Sequence, residues 1–539
     1  MRVDRRSFLL TGSLGLGAFA LPGFAQTPSV ADARGFTHNV ASGEPAADSV
    51  LLWTRYVPAS GDSAELRVEL SESADFARAI DGGRMITGPW RDWTAKITAS
   101  GLKAGTRYHY RFIAPDGSRS PAGRTKTLPD GATRQAKLGV FSCSNMAFGY
   151  FNAYAHAAEQ GEIDLAIHLG DYFYEYAPGI YPSAEQSVAG RLPAPANELI
   201  ALADYRLRYA SYRADPDLQK LHASVPWIVQ WDDHESANDS WEGGAENHEA
   251  GEGDWNLRRA AAIQAYREWM PVSDEPWARY QIGTLATLYR TETRLLARTK
   301  QPELRGLLGG LDPRAALVKF RDGAWQDPAA TMMGTTQEAW LAGALRQSVK
   351  AGTRWQVVNF GTILGETRLP LEAKDWIAAD APARAKAYVT AGLLASSVGL
   401  PFNFDNWGGY PAARRRFLRD AQAAGANLIV LSGDSHNGWA YDLAQDGKPV
   451  GVEFAGHGVT SPGIESGISA DPAKVAAALV RTNPELKWCD TSRRGYMLLT
   501  LTPEAARNDW VFVDTIRERG AKASVGHSAT VARGRNVMG

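Results

Sequence analysis

Side chains that can bind metal ions follow five segments of this sequence that have the pattern of β-strands. Because ligands gather at the carboxyl ends of strands in an open sheet, we expect these side chains to meet in one crevice. Carboxylates, imidazoles, a thiolate and a phenolate would converge there, and such a set is typical of a multi-metal hydrolytic site. The predicted strands are residues 137–141, 163–169, 225–231, 428–431 and 450–454. The candidate metal ligands after the first four strands are Cys143, Asp171, Tyr174, Asp232, Asp233, Asp434 and His436.

The segment after the second strand offers a bridging carboxylate and a phenol. Asp171 follows Gly170, which allows close approach of the backbone, and one carboxylate can contact two cations. Tyr174 stands three residues later, and its phenolate would suit a ferric ion better than zinc or magnesium. The alternative interpretation of Tyr174 is a buried aromatic residue of the core.

The third strand runs into four consecutive polar residues, 232–235. Asp233 can bind a metal, and His234 can reach a substrate phosphate or the leaving group. Asn238 and Asp239 follow on the same loop and can add oxygen ligands for a hard cation such as calcium. The alternative is a solvated acidic turn without a metal.

The remaining candidates differ in how far the pattern supports them. Asp434 and His436 are two residues apart, and such residues share one face of an extended segment, so both can coordinate one site. His457, after the fifth strand, is either a ligand or a hydrogen-bonded loop histidine. Cys143 is a candidate ligand by its place at a strand end, although an exported protein could pair it with Cys489.

The elements that must position these residues indicate an α/β protein. Apolar strands alternate with helical segments over residues 137–515, which predicts an α/β sandwich catalytic domain. Residues 36–128 contain short alternating strands separated by turn signals, which predicts an N-terminal β-sandwich of the immunoglobulin or fibronectin type. Residues 516–539 look like a basic, glycine-containing tail.

The N-terminus has the pattern of a targeting segment. Arg5 and Arg6 precede an apolar stretch over residues 9–21, and Gly23-Phe24-Ala25 then offers a small-residue cleavage site. This pattern predicts a signal peptide over residues 1–25 that the twin-arginine translocation machinery recognises. The apolar run is shorter than the ~20 residues of a membrane span, and no other span is expected in the mature protein. The predicted location is therefore periplasmic or secreted, with an uncleaved amphipathic anchor as the alternative.

Composition narrows the function classes. Among 539 residues, 59 are acidic and 58 are basic, so the strongly basic footprint of a nucleic-acid binder is not expected. The sequence contains neither a Walker-type phosphate loop nor a Gly-x-Ser-x-Gly elbow. A P-loop nucleotide hydrolase and a serine hydrolase therefore have little support.

A series of ordered motifs together resembles the PhoD-type alkaline phosphatases, or alkaline phosphatase D family, over about residues 36–503. Residues 40–55 resemble the opening of the family's N-terminal β-domain. The catalytic motifs are Ser142-Cys143, Gly170-Asp171-Tyr172-Phe173-Tyr174-Glu175-Tyr176, Trp231-Asp232-Asp233-His234-Glu235, residues 265–271, Asn406-Trp407-Gly408-Gly409-Tyr410-Pro411 with Arg414, Ser432-Gly433-Asp434-Ser435-His436, and Thr460-Ser461-Pro462-Gly463.

The resemblance implies a metallophosphoesterase fold that binds one ferric ion and calcium ions, and that hydrolyses phosphomonoesters and phosphodiesters outside the cytoplasm. It places metal ligands on Cys143, Asp171 and Tyr174, among Asp232 and Asp233, and on Asp434 and His436. Arg294 or Arg414 would hold the phosphoryl oxygens, and His234 would protonate the leaving group. Glu292 stands where many members have an aspartate, and this longer acid could shift Arg294.

Two alternatives to a general phosphatase remain at the level of sequence. One is a dedicated phosphodiesterase or phospholipase D-like enzyme that uses the same site. The other is a cell-wall-binding protein whose metal site is purely structural. Structural metal sites are closed whereas catalytic ones keep an open position, and the sequence offers more oxygen ligands than one closed shell needs, which argues against this alternative. The natural substrate, the number of metal ions and the oligomeric state are left open.

Overall fold

The computed structural model describes residues 33–308, 310–378 and 383–539. Residues Arg34–Gly539 form one compact unit. The predicted signal peptide, residues 1–25, lies outside the described residues.

The strands of the described residues fall into three sheets. In chain order they are β1 (Gly35–Gly43), β2 (Ser49–Val57), β3 (Ala64–Ser71), β4 (Ile80–Thr87), β5 (Thr94–Ser100), β6 (Arg107–Ile113), β7 (Gly123–Lys126), β8 (Ala136–Phe141), β9 (Leu165–His168), β10 (Pro226–Val229), β11 (Ala278–Ile282), β12 (Ala286–Arg290), β13 (Trp355–Asn359), β14 (Leu428–Ser432), β15 (Gly438–Gln445), β16 (Lys448–Ala455), β17 (Leu486–Asp490), β18 (Gly495–Leu501), β19 (Ala505–Val513) and β20 (Ala523–Ala532).

The α-helices of the described residues lie between these strands. They are α1 (Asn152–Gln160), α2 (Leu202–Arg213), α3 (Pro216–His222), α4 (Trp255–Trp269), α5 (Leu304–Leu308), α6 (Pro313–Asp322), α7 (Gly334–Lys350), α8 (Ala383–Ser397), α9 (Pro411–Ala424) and α10 (Pro472–Thr482).

The N-terminal β-sandwich is present, as predicted. Strands β4, β3, β6 and β7 form one sheet, and its buried side chains pack against those of β1, β2 and β5. Leu66, Val68 and Leu70 alternate with more exposed residues along β3, which is the pattern of a strand with one buried face. Strand β1 also pairs in parallel with β10, so the second layer of the sandwich continues into the main sheet.

The catalytic part is an α/β sandwich, as predicted. A nine-stranded sheet in the order β20-β19-β18-β8-β9-β10-β1-β2-β5 faces a seven-stranded sheet in the order β11-β12-β13-β14-β16-β15-β17. Apolar side chains from both sheets, among them Leu138, Ile167 and Val357, fill the space between them. Helices α7, α9 and α10 cover the outer face of the seven-stranded sheet. Helix α1 covers the other sheet, where Tyr154 packs against Phe141.

The predicted C-terminal tail is wrong for most of its length. Residues 523–532 form β20, the outermost strand of the nine-stranded sheet, which pairs antiparallel with β19. An edge strand exposes much of its surface, and in β20 only Ala529 and Val531 are fully buried. The alternation of apolar residues is therefore too weak to identify this strand from the sequence.

Parallel pairing places the predicted strand ends at one edge of the molecule. Strands β8, β9 and β10 are parallel neighbours in one sheet, and β12, β13, β14 and β16 are parallel neighbours in the other.

No helix within the described ranges combines the length and the apolar character that a membrane crossing requires.

Candidate metal centre

Acidic, thiol and imidazole groups from four strand ends converge at this edge. Within each of four groups, the candidate ligand atoms lie within 4.8 Å of one another. Asp171 and Asp233 each belong to three groups, so either carboxylate can bridge neighbouring cations. The groups are Cys143, Asp171 and His436; Asp171, Asp233 and His234; Asp171, Asp232, Asp233 and Asp434; and Asp233, Asp239 and Asp405.

The phenol of Tyr174 joins the first of these groups. Its hydroxyl lies 2.9 Å from Nε2 of His436 and 3.3 Å from Oδ2 of Asp171, and it accepts a hydrogen bond of 2.7 Å from Ser461. The side chain is buried, but its oxygen faces the ligand cluster and not the apolar core. The geometry therefore favours the ligand interpretation over that of a core aromatic residue.

His436 has the orientation of a metal-binding imidazole. Its Nδ1 donates a hydrogen bond of 2.8 Å to the carbonyl of Pro462, which leaves Nε2 facing Asp171 and Tyr174. Such an outer partner fixes the tautomer and the direction of the ring in many metal sites. Burial lowers the pKa of His436 to about 3, so the imidazole is neutral, as a metal ligand must be.

Burial acts in the opposite direction on the thiol and the phenol. Burial, and next the charge of Asp171, raise the pKa of both Cys143 and Tyr174 well above their ordinary values. Without a cation, both groups therefore keep their protons. A cation placed between them would reverse the effect, because coordination favours the thiolate and the phenolate.

The backbone at the ligand positions is unusual for residues with side chains. Cys143, Asp171, Asp434 and His436 have φ values of 59°, 55°, 64° and 60°. Left-handed conformations are uncommon outside glycine, and they persist where the surrounding structure enforces them, often at functional sites. A Cβ atom on Gly361 would overlap the carboxylate of Asp232, so only glycine allows this close approach.

Two buried glutamates hold the loops that carry the ligands. Glu235 accepts hydrogen bonds from the backbone amides of Asp171, Tyr172 and Asp232, at 3.1, 2.6 and 2.7 Å. It therefore joins the loop after β9 to the loop after β10. Glu292 accepts from the indole of Trp231 and from the amide of Arg294, at 2.9 and 2.8 Å. Glu292 also accepts from the amides of Leu295 and Leu296, so it caps the turn that carries Arg294.

Arg294 lies among the carboxylates and does not face an open pocket. Its Nε and Nη2 donate to the two oxygens of Asp232 at 2.8 and 2.9 Å, and its Nη1 donates to Asp405 at 2.7 Å. The side chain is fully buried. Since Asp232 and Asp405 engage all three nitrogens, the geometry favours a positioning role over the predicted contact with phosphate.

Arg414 is not brought to the cluster. Its Nε donates to the carbonyl of Leu364 at 2.9 Å, and its Nη2 donates to Glu485 at 2.7 Å. These partners hold the first turn of α9 against the segments before α8 and β17. The predicted contact of Arg414 with a phosphoryl oxygen is therefore replaced by a structural ion pair.

His234 is held by a buried carboxylate. Its Nδ1 lies 2.7 Å from Oε2 of Glu175, and its ring lies 4.1 Å from that of Tyr174. Burial lowers the pKa of His234, but the charges of Asp233, Glu175 and Asp171 outweigh burial and hold it well above its ordinary value. The Nε2–H of a charged imidazolium can then serve as a proton donor.

Asn238 lies beside this pair and not inside the cluster. Its backbone amide donates to Glu175 at 2.8 Å, and its side-chain Nδ2 donates to Glu246 at 3.2 Å. Its neighbour Asp239 lies instead within the group that Asp233 and Asp405 complete. The oxygen ligand expected from this loop is therefore Asp239.

Sequence reasoning missed Asp405 altogether. This residue precedes the motif at 406–411, and its Oδ1 receives hydrogen bonds from Arg294 and Arg298, at 2.7 and 2.6 Å. The adjacent motif was the available signal, since Asp405 itself follows no predicted strand.

The two undecided residues, His457 and Cys489, lie outside the ligand groups. His457 packs on Phe512 with ring centroids 4.5 Å apart and bonds the carbonyl of Val511 at 3.2 Å, as a loop histidine does. Cys143 and Cys489 are both free cysteines, so they do not form the disulfide that was considered.

The donors of the cluster match two kinds of cation. A thiol, a phenol and an imidazole beside Asp171 suit a transition metal, whereas the carboxylates around Asp233 suit a hard cation. Oδ1 of Asp171 and Oδ1 of Asp233 are buried and have no hydrogen-bond partner among the described residues. Buried polar atoms are rarely left unpaired, so these oxygens fit the role of metal ligands.

Two stacked sheets with this cluster at their strand ends define the class of phosphoester hydrolases. The sequence model described as PhoD-like phosphatase matches residues 138–510, and that of the PhoD-like phosphatase N-terminal domain matches residues 23–129. The chain therefore belongs to the PhoD-like phosphatase family and is a hydrolase of phosphate esters.

Two relatives agree with this assignment. The chain is 31% identical over 560 residues to alkaline phosphatase D of Bacillus subtilis strain 168. The alignment covers 97% of this chain and 86% of the relative. It also matches a solved structure titled "Structure of PhoD", with 28% identity and a TM-score of 0.75. That match covers 95% of this chain and 92% of the solved chain. The resemblance inferred from the motifs is thus confirmed.

Proposed function

We propose that this protein is an exported, metal-dependent phosphatase that hydrolyses phosphomonoesters, phosphodiesters or both. The observation that carries the proposal is the convergence of Cys143, Asp171, Tyr174 and His436 beside a second, purely carboxylate group. Because the chain belongs to a phosphatase family, a cell-wall-binding protein with a purely structural metal site is not favoured.

The balance of buried charge supports metal dependence. Burial, together with the charges of Asp232 and Asp233, raises the pKa of Asp171 and of Asp434 well above the ordinary value. The charge of His234 lowers the pKa of Asp171 but offsets only part of this effect. Buried carboxylates are costly unless they are paired or coordinate a metal. Arg294 engages Asp232 and Asp405, and so leaves Asp171 without a paired cation at hydrogen-bond distance. Bound cations would supply the missing positive charge.

The ligand types suggest which cations these are. Cys143, Asp171, Tyr174 and His436 would hold a ferric ion, since its charge is balanced by thiolate, phenolate and carboxylate. The carboxylates of Asp232, Asp233 and Asp434 would hold calcium, which prefers oxygen ligands. Asp239 and Asp405 extend this oxygen-rich side. The family resemblance implies the same pair of metals.

The mechanism assigns distinct tasks to the residues of this chain. When bound, the metal ions would neutralise the phosphoryl oxygens and make hydroxide available near neutral pH. His234 donates a proton from Nε2 to the leaving alkoxide, and Glu175 holds its ring in place. Arg294 fixes Asp232 and Asp405, and electrostatic preorganisation of this kind accounts for much of the catalysis in phosphoryl transfer.

The proposal is tested by metal analysis of the purified enzyme with a panel of phosphate esters. We expect iron and calcium in the protein, and loss of turnover of p-nitrophenyl phosphate after chelation. The ratio of its rate to that of bis-p-nitrophenyl phosphate separates a general phosphatase from a dedicated phosphodiesterase. Full activity in metal-free enzyme would contradict the proposal.

Tyr174→Phe tests the phenolate ligand. A ferric ion with phenolate and thiolate ligands absorbs visible light by charge transfer, which zinc and calcium cannot do. We expect a coloured wild-type enzyme, and a shifted or weaker band with slower turnover in the variant. Tyr289→Phe is the matched control, because Tyr289 is also fully buried but bonds a carbonyl of α7. If both variants keep colour and rate, Tyr174 is a core residue.

Replacement of Arg5 and Arg6 together by lysine tests export. The twin-arginine machinery distinguishes this pair from lysines, so we expect the variant to remain in the cytoplasm. Phosphatase activity is measured in periplasmic and cytoplasmic fractions, and a lysine substitution at Arg34 serves as the control. Equal periplasmic activity in the wild type and the double variant would contradict the signal assignment.

A further inference from the structure

Aromatic side chains border the ligand cluster on the side of His234. Tyr174 packs on the imidazole of His234 with ring centroids 4.1 Å apart, and the ring of Tyr176 lies 5.6 Å from the same imidazole. The ring of Tyr181 lies 5.9 Å from that of Tyr176 and 5.6 Å from that of Tyr174. Phe148 packs against the ring of Tyr181 at 4.9 Å. These contacts join four aromatic rings into one continuous surface.

Two of these rings are accessible to a ligand. Tyr174 and Phe148 are buried, whereas Tyr176 and Tyr181 are half-buried. None of the hydrogen bonds among the described residues uses the hydroxyl of Tyr176. A half-buried ring of this kind presents apolar surface that is not used by the core. Tyr176 and Tyr181 together form the tyrosine wall of the site.

Backbone contacts hold the tyrosine wall in place. The guanidinium of Arg208, which is buried, donates to the carbonyls of Tyr174 and Tyr176, the latter at 3.2 Å. Nδ2 of Asn145 donates to the carbonyl of Tyr181 at 3.2 Å. Because the wall is pre-organised in this way, a ligand that contacts it has little additional chain to order.

The direction of His234 places the leaving group beside the wall. Glu175 engages Nδ1 of His234, so Nε2 is the nitrogen that can protonate the leaving oxygen. A proton donor must lie within about 3 Å of that oxygen. The ring of Tyr176 lies 5.6 Å from the imidazole, which is close enough for the carbon substituent of the leaving group to contact it.

The polar groups around the wall are already engaged. The carboxylates whose charges reach Tyr176 are those of Glu175, Asp233, Glu246 and Asp239. Glu175 accepts hydrogen bonds from His234 and from two asparagines of the following loop. Glu246 accepts one from Asn238 at 3.2 Å, and the two aspartates belong to one candidate cation group. A sugar ring would therefore find few free partners for its hydroxyls, whereas an aromatic ring needs none.

We propose that the tyrosine wall binds an aromatic ring carried by the leaving alcohol, and that Tyr176 is the residue that selects such esters. Aromatic pairs favour offset-stacked or edge-to-face contacts with centroids about 4.5–7 Å apart. Tyr176 and Tyr181 meet in the edge-to-face way, with an interplanar angle of 72°. A substrate ring beside Tyr176 would extend the same arrangement next to His234. The inference rests on the proposed function, because it assigns the leaving group to the side of His234.

Two esters that differ in the aromaticity of one ring test the inference. Benzyl phosphate and cyclohexylmethyl phosphate both release a primary alcohol, so recognition of the ring is separated from the chemistry of the leaving oxygen. We would measure kcat and KM by phosphate release for wild type, Tyr176→Leu and Tyr176→Phe. Tyr150→Leu is the matched control, since Tyr150 is also half-buried but packs on the guanidinium groups of Arg191 and Arg519.

We expect wild type to prefer the benzyl ester by about threefold to tenfold in kcat/KM, mainly through KM, because the ring contact is made before and during the chemical step. Tyr176→Leu should bring this ratio close to one, whereas Tyr176→Phe and Tyr150→Leu should keep it. Equal kcat/KM for the two esters in wild type, or an unchanged ratio in Tyr176→Leu, would overturn the inference and leave the proposed function intact. Hydrolysis of neither ester by wild type would contradict both.

Inhibition of wild type decides the matter if Tyr176→Leu folds poorly. Benzylphosphonate and cyclohexylmethylphosphonate have no ester bond to hydrolyse, and we expect the former to inhibit turnover of p-nitrophenyl phosphate at an inhibition constant lower by about threefold or more. Equal inhibition constants would overturn the inference. Glucose 6-phosphate also releases a primary alcohol, and a preference of wild type for it over benzyl phosphate would assign the wall to sugars instead.

Discussion

Asp171→Asn is expected to lower phosphatase turnover by about 10³-fold or more, through loss of the shared ligand and of the charge stabilisation that it supports. Asp171 belongs to three of the four ligand groups, so no other single carboxylate except Asp233 affects as much of the cluster. His436→Ala is expected to have an effect of the same size. The measurement is turnover of p-nitrophenyl phosphate together with the metal content of each variant.

Asp446→Asn is the matched control for this substitution. Asp446 is exposed and has a φ of 51°, close to the 55° of Asp171, so the two changes place the same strain on the backbone. We expect near-normal turnover in the control. Near-normal turnover in Asp171→Asn with its metal retained would remove Asp171 from the site.

The same substitution is expected to stabilise the metal-free protein. Burial raises the pKa of Asp171 above its ordinary value of 3.8, so the folded state binds this proton more tightly than the unfolded state does. Its contribution to stability is therefore fully present below pH 3.8 and is lost as the pH rises through the raised value. Asparagine is neutral at every pH, so thermal melts of metal-free Asp171→Asn should lie at or above wild type at pH 7. A melting temperature of the variant below that of wild type would contradict the inference that Asp171 carries an unbalanced charge in the metal-free protein.

Arg294→Met is expected to destabilise the metal-free protein by about 3–5 kcal/mol, since it leaves buried carboxylates without their partner. Arg294 is fully buried and donates to both Asp232 and Asp405. Arg294→Lys should not restore stability, because one ammonium cannot reproduce the fork that holds two carboxylates. The measurement is urea unfolding of the metal-free variants.

Arg414→Met provides the contrast for Arg294. Its partner Glu485 is partly exposed, so loss of this ion pair should cost about 0–1 kcal/mol. Equal losses in the Arg294 and Arg414 variants would show that the acidic cluster does not depend on Arg294. We also expect Arg414→Met to retain turnover, since its side chain does not face the cluster.

The sequence alone was sufficient for the fold class, the family and the main ligand candidates. Cys143, Asp171 and Asp434 each follow an apolar strand, and parallel pairing necessarily gathers such strand ends at one edge. Each of the motifs at 170–176 and 231–235 consists of consecutive residues, so it can be recognised in the sequence without knowledge of the packing. The premise that Asp434 and His436 share one face of an extended segment was wrong, because both have left-handed backbones, and the two residues belong to different ligand groups of the same cluster.

Only the tertiary structure decided which distant side chains complete the cluster. Arg294 and Asp405 are 111 residues apart, and neither follows a strand that the sequence marked as part of the site. The direction of an arginine side chain depends on which acceptors the fold brings within its reach, so Arg294 faces the carboxylates while Arg414 faces Glu485. The pairing of β1 with β10 and of β20 with β19 also depends on partners far along the chain. Local sequence patterns cannot specify such contacts, because a contact between distant segments contributes stability only once the two segments are packed together.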